Sequence, residues 1–378
     1  MINFFTYILL FGSMLFVIRR GELSGNKKLI YCGYIILFVV SALRYDIGND
    51  YFNYWLNTED LASQYRFSHS VKDVYNYSDG RFEIGFCVLA SLFSWSENAF
   101  FWVSMVFSLL VVSGLYTAFE RCKCHFWGML LVIVTEYIFL QWDWIRQSGA
   151  FTFVLLSMLA AKDKNFSQFV IFVSIASIFH KSSIFMLVAY PLTYVRMNNK
   201  LIFLILITGL VIYWSGILDG FVNQVEMLFS YVDGYDKYDS ANVALSVTHT
   251  TIFSRIRVSL FALLGALVVL TLDGDNAFYR NAITVGLFVY MLSGSTLLLI
   301  RIAWYFLVIL FPCFGICIQS ARYKNRVRFY LLISLLLAQV AVFSYDVATG
   351  TNTRGCVPYK TIFSDDFANH RFDIRDYK

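Results

Sequence analysis

The chain has little charge. Asp, Glu, Lys and Arg make up 15% of its 378 residues, against about a quarter in a soluble domain. That excludes an ordinary soluble globular domain. There is no polar stretch that reads as a separate domain, no low-complexity linker and no internal repeat. The formal charge of +5 is spread over loops and gives no support to a nucleic-acid partner. The seven cysteines lie mostly in or beside apolar runs, and Cys122-Lys-Cys124 has no second ligand pair at zinc-binding spacing. They read as small hydrophobic residues. Paired aspartates for a metal are also missing: Asp233 and Asp236 in YVDGYD come closest. Neither a metal nor a cofactor is expected. The first apolar run, 2–18, is followed by no small-residue cleavage site, so it reads as a span rather than a removed leader.

What the chain has instead is apolar surface. Hydrophobic residues make up 58% and aromatic residues 19%, and the mean hydropathy is +0.62. Long apolar runs alternate with short charged clusters, the pattern of an all-α integral membrane protein. Twelve transmembrane helices are expected, near 2–18, 29–43, 98–118, 126–141, 148–161, 167–180, 182–195, 201–218, 255–272, 281–299, 302–318 and 329–343. Several of these runs fall short of the roughly 20 residues a crossing helix needs. Their helices must extend into flanking polar residues or be broken.

Lys/Arg bias sets the expected orientation. The loops RRGELSGNKK, ERCKCH, KDKN, RMNNK, DGDNAFYR and QSARYKNRVR hold half of the 30 Lys and Arg and few acids. They read as cytoplasmic, which puts both termini outside. One polytopic membrane domain then carries three external segments: 44–97, 219–254 and 344–378. The apolar piece Phe82–Trp95 is too short to cross and reads as an amphipathic or re-entrant helix.

Charged groups beside a bilayer are costly and tend to be paired and functional. Arg44, Asp46 and Asp50 follow the second span. Arg81 and Glu83 share the same loop. Asp143 and Arg146 sit in WDWIRQSGA, His180 and Lys181 in FHKSS, Arg255 and Arg257 at the start of one apolar run, and Arg301 between two others. On the twelve-span topology all of them reach the external face. Each also has a plainer reading. Arg44 can snorkel at the interface, Asp46 or Asp50 can simply pair with Arg44, and Arg146 and Lys181 can anchor the interface. Glu136 lies inside an apolar run, where a packing role serves as well as a chemical one.

Fixed arginines suit phosphate, which they bind bidentately without losing charge. Tyr- and Trp-rich external loops suit sugars. A histidine beside such a site can deprotonate an acceptor hydroxyl. These parts fit glycosyl transfer from a lipid pyrophosphate.

The stretch LRYDIGNDYFNYW resembles the opening signature of the EpsG-like family of polysaccharide polymerases, Arg-Tyr-x-x-Gly-x-Asp-Tyr-x-x-Tyr. It matches at Arg44, Tyr45, Gly48, Asp50, Tyr51 and Tyr54. RFEIGFCVL resembles the family's Glu-x-Gly element (Glu83, Gly85), and WIRQSGAFTF its Arg-Gln segment (Arg146, Gln147). FHKSSIF resembles the His-Lys-Ser segment (His180, Lys181, Ser182), and VPYKTIF the closing Pro-Tyr element (Pro358, Tyr359). The five occur in order, with a departure at Asn49, where Thr often stands. The resemblance implies a Wzy-type inner-membrane polymerase of GT-C-like architecture. Such an enzyme joins O-antigen, capsule or exopolysaccharide repeat units carried on undecaprenyl pyrophosphate, and a chain-length regulator is a possible partner.

The expected roles follow. Arg146 and Arg301 hold the donor pyrophosphate, and His180 is the general base. Arg44, Asp46, Asp50, Tyr51, Tyr54, Glu83, Gln147, Lys181 and Arg255 contact donor and acceptor oligosaccharides or orient the groups that do. The external loops set repeat-unit specificity. A lipid-linked oligosaccharide flippase and a membrane O-acyltransferase acting on the same glycan are the alternatives, and a lipid-linked monosaccharide transferase is a third.

Overall fold

The computed structural model describes residues 2–217, 252–293, 297–351 and 353–363. Among these residues the regular elements are helices, with one isolated antiparallel bridge between Arg44 and Thr361. The all-helical expectation holds, but the expectation of twelve spans does not. Among the described residues four helices are long and apolar enough to cross a bilayer: Phe4–Ser24, Ala99–Cys122, Ile252–Thr271 and Arg326–Thr349. The number rises to six if each of two bent pairs is one span: His125–Val134 with Tyr137–Asp143, bent by 66°, and Leu299–Leu307 with Leu310–Lys324, bent by 41°. The chain is a multi-pass membrane protein by this measure.

The physical reason is length. At 1.5 Å per residue, 20 residues cover the roughly 30 Å hydrocarbon core. The run at 167–180 forms a helix of 14 residues, Phe166–Phe179. The run at 126–141 breaks at Glu136, which is left-handed at φ 58°. The run at 182–195 is not an α-helix but a 3₁₀ segment, Lys181–Thr193, with Pro191 inside it. The external stretch 219–254 lies almost wholly outside the described residues, and Asp233 and Asp236 with it.

Two compact units make up the chain. The first comprises Met1–Thr117, Val132–Gly149 and Val340–Lys378. It opens with a hairpin of α1 (Ile2–Ser24) and α2 (Lys27–Ala42). Gly25, left-handed at φ 65°, ends α1. The Asn26 side chain caps α2 by accepting the Lys28 N–H at 3.0 Å.

The stretch expected as an external loop at 44–97 is helical: α3 (Tyr51–Ser68), α4 (Val71–Tyr77) and α5 (Ile84–Leu92). The nine residues of α5 span about 14 Å, too little to cross. Its exposed side chains Ile84, Val88 and Leu92 recur once per turn, opposite buried Phe86, Cys87 and Ala90. Then come α6 (Ala99–Cys122), α7 (His125–Val134), α8 (Tyr137–Asp143) and α9 (Ile145–Lys162), of which α7 and α9 belong mostly to the second unit. Apolar residues at helical spacing on α3 turn inward, so Tyr51, Tyr54 and Trp55 are buried. Tyr51 and Trp55 meet Tyr45 and Phe100 in a ring cluster with centroids 5.1–6.4 Å apart, edge-on except for the stacked Trp55–Phe100 pair.

The second unit comprises Ala118–Leu131 and Ala150–Gln339. It holds α10 (Phe166–Phe179), the 3₁₀ segment, α11 (Asn199–Ser215), α12 (Ile252–Thr271), α13 (Ala277–Leu292), α14 (Leu297–Leu307), α15 (Leu310–Lys324) and most of α16 (Arg326–Thr349). Helix α13 is its centre and packs against α11, α12 and α14. The Asn281 amide on α13 donates to Leu192 O at 3.0 Å and Val195 O at 2.7 Å. That ties down the end of the 3₁₀ segment, where last-turn carbonyls have no intrahelical partner and Pro191 has no N–H to give.

Candidate functional site

In the first unit, four segments far apart in sequence meet. They are the link 43–50 after α2, the Arg81–Glu83 corner before α5, the α8–α9 turn, and the stretch 353–363. The last closes on the first through main-chain bonds. Tyr45 N–H donates to Lys360 O at 3.1 Å, Ile362 N–H to Leu43 O at 3.1 Å, and Gly48 N–H to Gly355 O at 3.3 Å. Tyr359 OH donates to Val40 O at 2.7 Å. Burial pushes the Tyr359 phenol up to about 12, against the pull of Arg44, so it remains a donor at neutral pH. Tyr7 OH donates to Cys356 O.

Two glycines make the approach possible. Gly48 has φ 103°, and a Cβ there would lie 3.1 Å from Asp143 Cα. At Gly355, φ is 69° and a Cβ would lie 2.8 Å from Asn49 Oδ1. Side chains are strained at such φ values and have no room here.

Three ion pairs among the described residues populate this junction. The Arg146 Nη1 donates to Glu83 Oε2 at 2.5 Å and to Arg81 O at 3.0 Å. Its guanidinium lies 4.9 Å from the Phe82 ring centre and 5.7 Å from that of Tyr54. Burial alone would lower the Arg146 guanidinium, but the Tyr54 phenol and the Glu83 carboxylate outweigh it and raise it further. Its Nη2 makes no hydrogen bond among the described residues.

The second pair joins Arg354 Nη1 to Asp143 Oδ2 at 3.3 Å. Asp143 Oδ1 accepts the Asp50 N–H at 3.2 Å, so one buried carboxylate ties the start of α3 to the C-terminal stretch. Arg354 stacks 4.5 Å above Trp144 and is left-handed at φ 52°, a conformation costly for a residue with a side chain. The third pair joins Lys360 Nζ to Asp46 Oδ2 at 2.7 Å.

Arg44 differs from all three. It is 3% exposed. Its Nη1 donates to Ser41 O and to Ser108 Oγ, and its Nε has no partner among the described residues. It borders a cavity of about 10 Å³, lined also by Gln141, Trp142 and Ser148, roughly the room one water needs. Burial pulls the guanidinium down to about 10, which still leaves it charged at neutral pH. Arg44 was expected at a rim with Asp46 or Asp50 as partner. It lies inside, and Asp46 serves Lys360.

Of the expected site residues, the first unit thus assembles Arg44, Asp46, Asp50, Tyr51, Tyr54, Glu83 and Arg146. Gln147 follows Arg146 on α9 and is buried. The second unit holds the remaining four. His180 closes α10 in extended conformation, its N–H on Ala176 O at 2.9 Å. Lys181 opens the 3₁₀ segment and is exposed. Ser182 bonds Tyr305 OH at 3.0 Å. Arg301 lies one turn before Tyr305 on α14, on the same helix face. Arg255 Nη1 donates to Trp214 O at 3.0 Å.

Sequence reasoning noticed Asp143 but gave it no role, and it missed Arg354 and Lys360. The signal for the last two was Thr353–Thr361, polar residues around VPY in a stretch that otherwise reads as a tail. No group of three or more His, Cys, Asp or Glu placed to hold a metal occurs among the described residues.

The family model for the EpsG family matches residues 27–361. That range takes in three segments of the junction whole, the fourth as far as Thr361, and the His180 turn. The chain therefore belongs to the EpsG family, which makes it a helical membrane protein of exopolysaccharide biosynthesis. No curated protein and no solved structure matches it.

Proposed function

We propose that this EpsG-family member is a polysaccharide polymerase. It transfers a growing glycan from undecaprenyl pyrophosphate onto a lipid-linked repeat unit at the external face of the bacterial inner membrane. The observation that carries the reading is the junction of the first unit. There the family's arginine, acidic and closing elements fold onto one another and hold two arginines, Arg146 and Arg354, by carboxylates and aromatic rings. Each keeps guanidinium nitrogens without a partner among the described residues. Fixed, partly uncommitted guanidinium groups are the chemistry that grips a pyrophosphate and stabilises it as it leaves.

In this mechanism the acceptor sugar hydroxyl attacks the anomeric carbon of the donor. The bond from that carbon to the pyrophosphate oxygen breaks, and undecaprenyl pyrophosphate departs with the electron pair. A general base takes the hydroxyl proton, the role that the sequence gives His180. Arg146 and Arg354 neutralise the leaving pyrophosphate. Glu83 and Asp143 fix the arginines in place. Arg44 is too deep for direct contact in this conformation, and its buried charge acts through the field it projects on the junction. No metal is needed for this sequence of events.

Deletion of the gene in its host tests the reading against a transporter. Loss of a polymerase leaves single repeat units on the cell surface. Loss of a flippase leaves none, and that result would overturn the proposal.

A further inference from the structure

A second cavity in the first unit lies apart from the arginine junction in its lining. About 330 Å³ of space opens between the C-terminal end of α3 and the turn that follows α5. Its walls are Tyr65, Arg66 and His69 on one side and Ser94, Trp95, Ser96 and Glu97 on the other. Arg66 Nη1 donates to Ser94 O at 2.6 Å and so clamps the two walls together. His69 ends α3 in left-handed conformation, φ 53°, which turns the chain back beside Tyr65. The two rings meet edge to face at 6.3 Å.

Trp95 is held from behind and open in front. Its ring sits 5.6 Å from that of Trp102, and Trp102 Nε1 donates to Ser96 Oγ at 3.2 Å. Ser96 Oγ also accepts the Asn98 N–H at 3.1 Å. Even so, Trp95 is 70% exposed. A large apolar ring left open yet braced by a second ring is a contact platform rather than a loose surface residue.

The volume is at the low end of the roughly 300–1,000 Å³ of small-molecule sites, the size class of a mono- or disaccharide. The lining has the matching chemistry. An indole face receives the C–H side of a sugar ring, while a guanidinium, a carboxylate, an imidazole and serine hydroxyls offer donors and acceptors for its hydroxyls. Arg66 and Glu97 cancel in charge. The groove therefore has no bias toward an anion, which favours a neutral polyhydroxylated ligand over a phosphate.

We infer that this groove is a saccharide subsite, which holds a sugar of the repeat unit at a distance along the chain from the arginine junction and so contributes to repeat-unit specificity. The inference rests on the polymerase reading for the identity of the glycan, but the binding it describes needs no turnover.

The test uses the full-length protein in nanodiscs and, as probe, the delipidated single repeat-unit oligosaccharide released by mild acid from the host's lipid-linked precursor. Saturation-transfer NMR and titration calorimetry read its binding. The wild type and Trp95→Phe bind. Trp95→Leu, which keeps the apolar bulk but loses the ring face, and Glu97→Gln each bind at least about tenfold more weakly, the scale of one lost contact of about 1.4 kcal/mol. In polymerisation the same two variants raise KM for the lipid-linked unit and leave kcat near wild type. Unchanged oligosaccharide binding in both variants overturns the subsite, as does normal binding by Trp95→Leu with loss of nanodisc insertion only in Trp95→Ala, which would make Trp95 a lipid-interface anchor. A wild type that binds the oligosaccharide but makes no polymer keeps the subsite and removes the polymerase. A polymerising wild type with unaffected variants does the reverse.

Discussion

Arg354 and Asp143 stand 211 positions apart in the chain, yet the guanidinium donates to the carboxylate at 3.3 Å. Asp143 uses its other oxygen on the Asp50 N–H. One buried carboxylate thus ties the C-terminal stretch to the start of α3, and it sits three residues before Arg146. Asp143→Ala frees two donors at once. It is expected to lower thermal stability by about 1–3 kcal/mol and to abolish polymer formation. Arg354→Met keeps the packing on Trp144. It leaves the Asp143 carboxylate buried without its cation, so it should lower the melting temperature, and it should cut turnover per folded molecule about 10²-fold, the scale of one lost oxyanion donor. Normal turnover by Arg354→Met would remove Arg354 from the chemistry.

The Arg146–Glu83 pair makes a different prediction, because its fork and its charge can be separated. Arg146→Lys keeps the charge but cannot serve Glu83, Arg81 O and a phosphate together. Turnover is expected to fall steeply in Arg146→Lys and in Glu83→Gln. The double variant should be little worse than either single one, since both remove the same positioned guanidinium. Strict additivity in kcat would show that the two residues act independently.

Among the described residues Arg44 has hydrogen-bond partners but no carboxylate to pair its charge. A buried charge without a counter-ion is costly to the folded state. Arg44→Met should therefore fold at normal level with an equal or higher melting temperature, yet give shorter polymer. A large loss of stability with activity per folded molecule intact would make Arg44 a structural anchor for Ser41 and Ser108.

Glu59 supplies a pH test outside the junction. Its Oε1 accepts the Phe100 N–H at 3.0 Å at the start of α6. Burial raises its carboxyl above the ordinary 4.5, against that hydrogen bond and the pull of Arg66. A folded-state pKa raised above the unfolded one means that folding favours the protonated form, so stability falls as pH climbs through the raised value. Glu59→Gln keeps an acceptor for Phe100 and cannot ionise. Its melting temperature should exceed that of wild type at pH 7, and the two should converge at pH 4. A wild type that is the more stable at pH 7 would contradict this.

Much of the first unit was legible because its signals are local. A charge set against an apolar run, as at Arg44, Glu83 or Arg146, is visible without partners. The helical character of the apolar runs was visible for the same reason. Span number was not, because hydropathy does not show where a helix breaks. Glu136 turns left-handed and splits one run, and another winds as 3₁₀ around Pro191. The clamp by Arg354 and Lys360 was invisible because pairing across the length of the chain leaves no periodic trace. Tyr51 and Tyr54 read as surface sugar contacts, yet on α3 they fall at the spacing that faces a core.

The central claim is polymerisation. Its most direct test is purified protein in nanodiscs, supplied with a defined undecaprenyl-pyrophosphate oligosaccharide in metal-chelating buffer and scored by gel for products. The account predicts a ladder spaced by one repeat unit, which disappears in Arg146→Ala, His180→Ala and Arg301→Ala. Addition of one sugar only, no product from wild type, or an intact ladder in all three variants would contradict it.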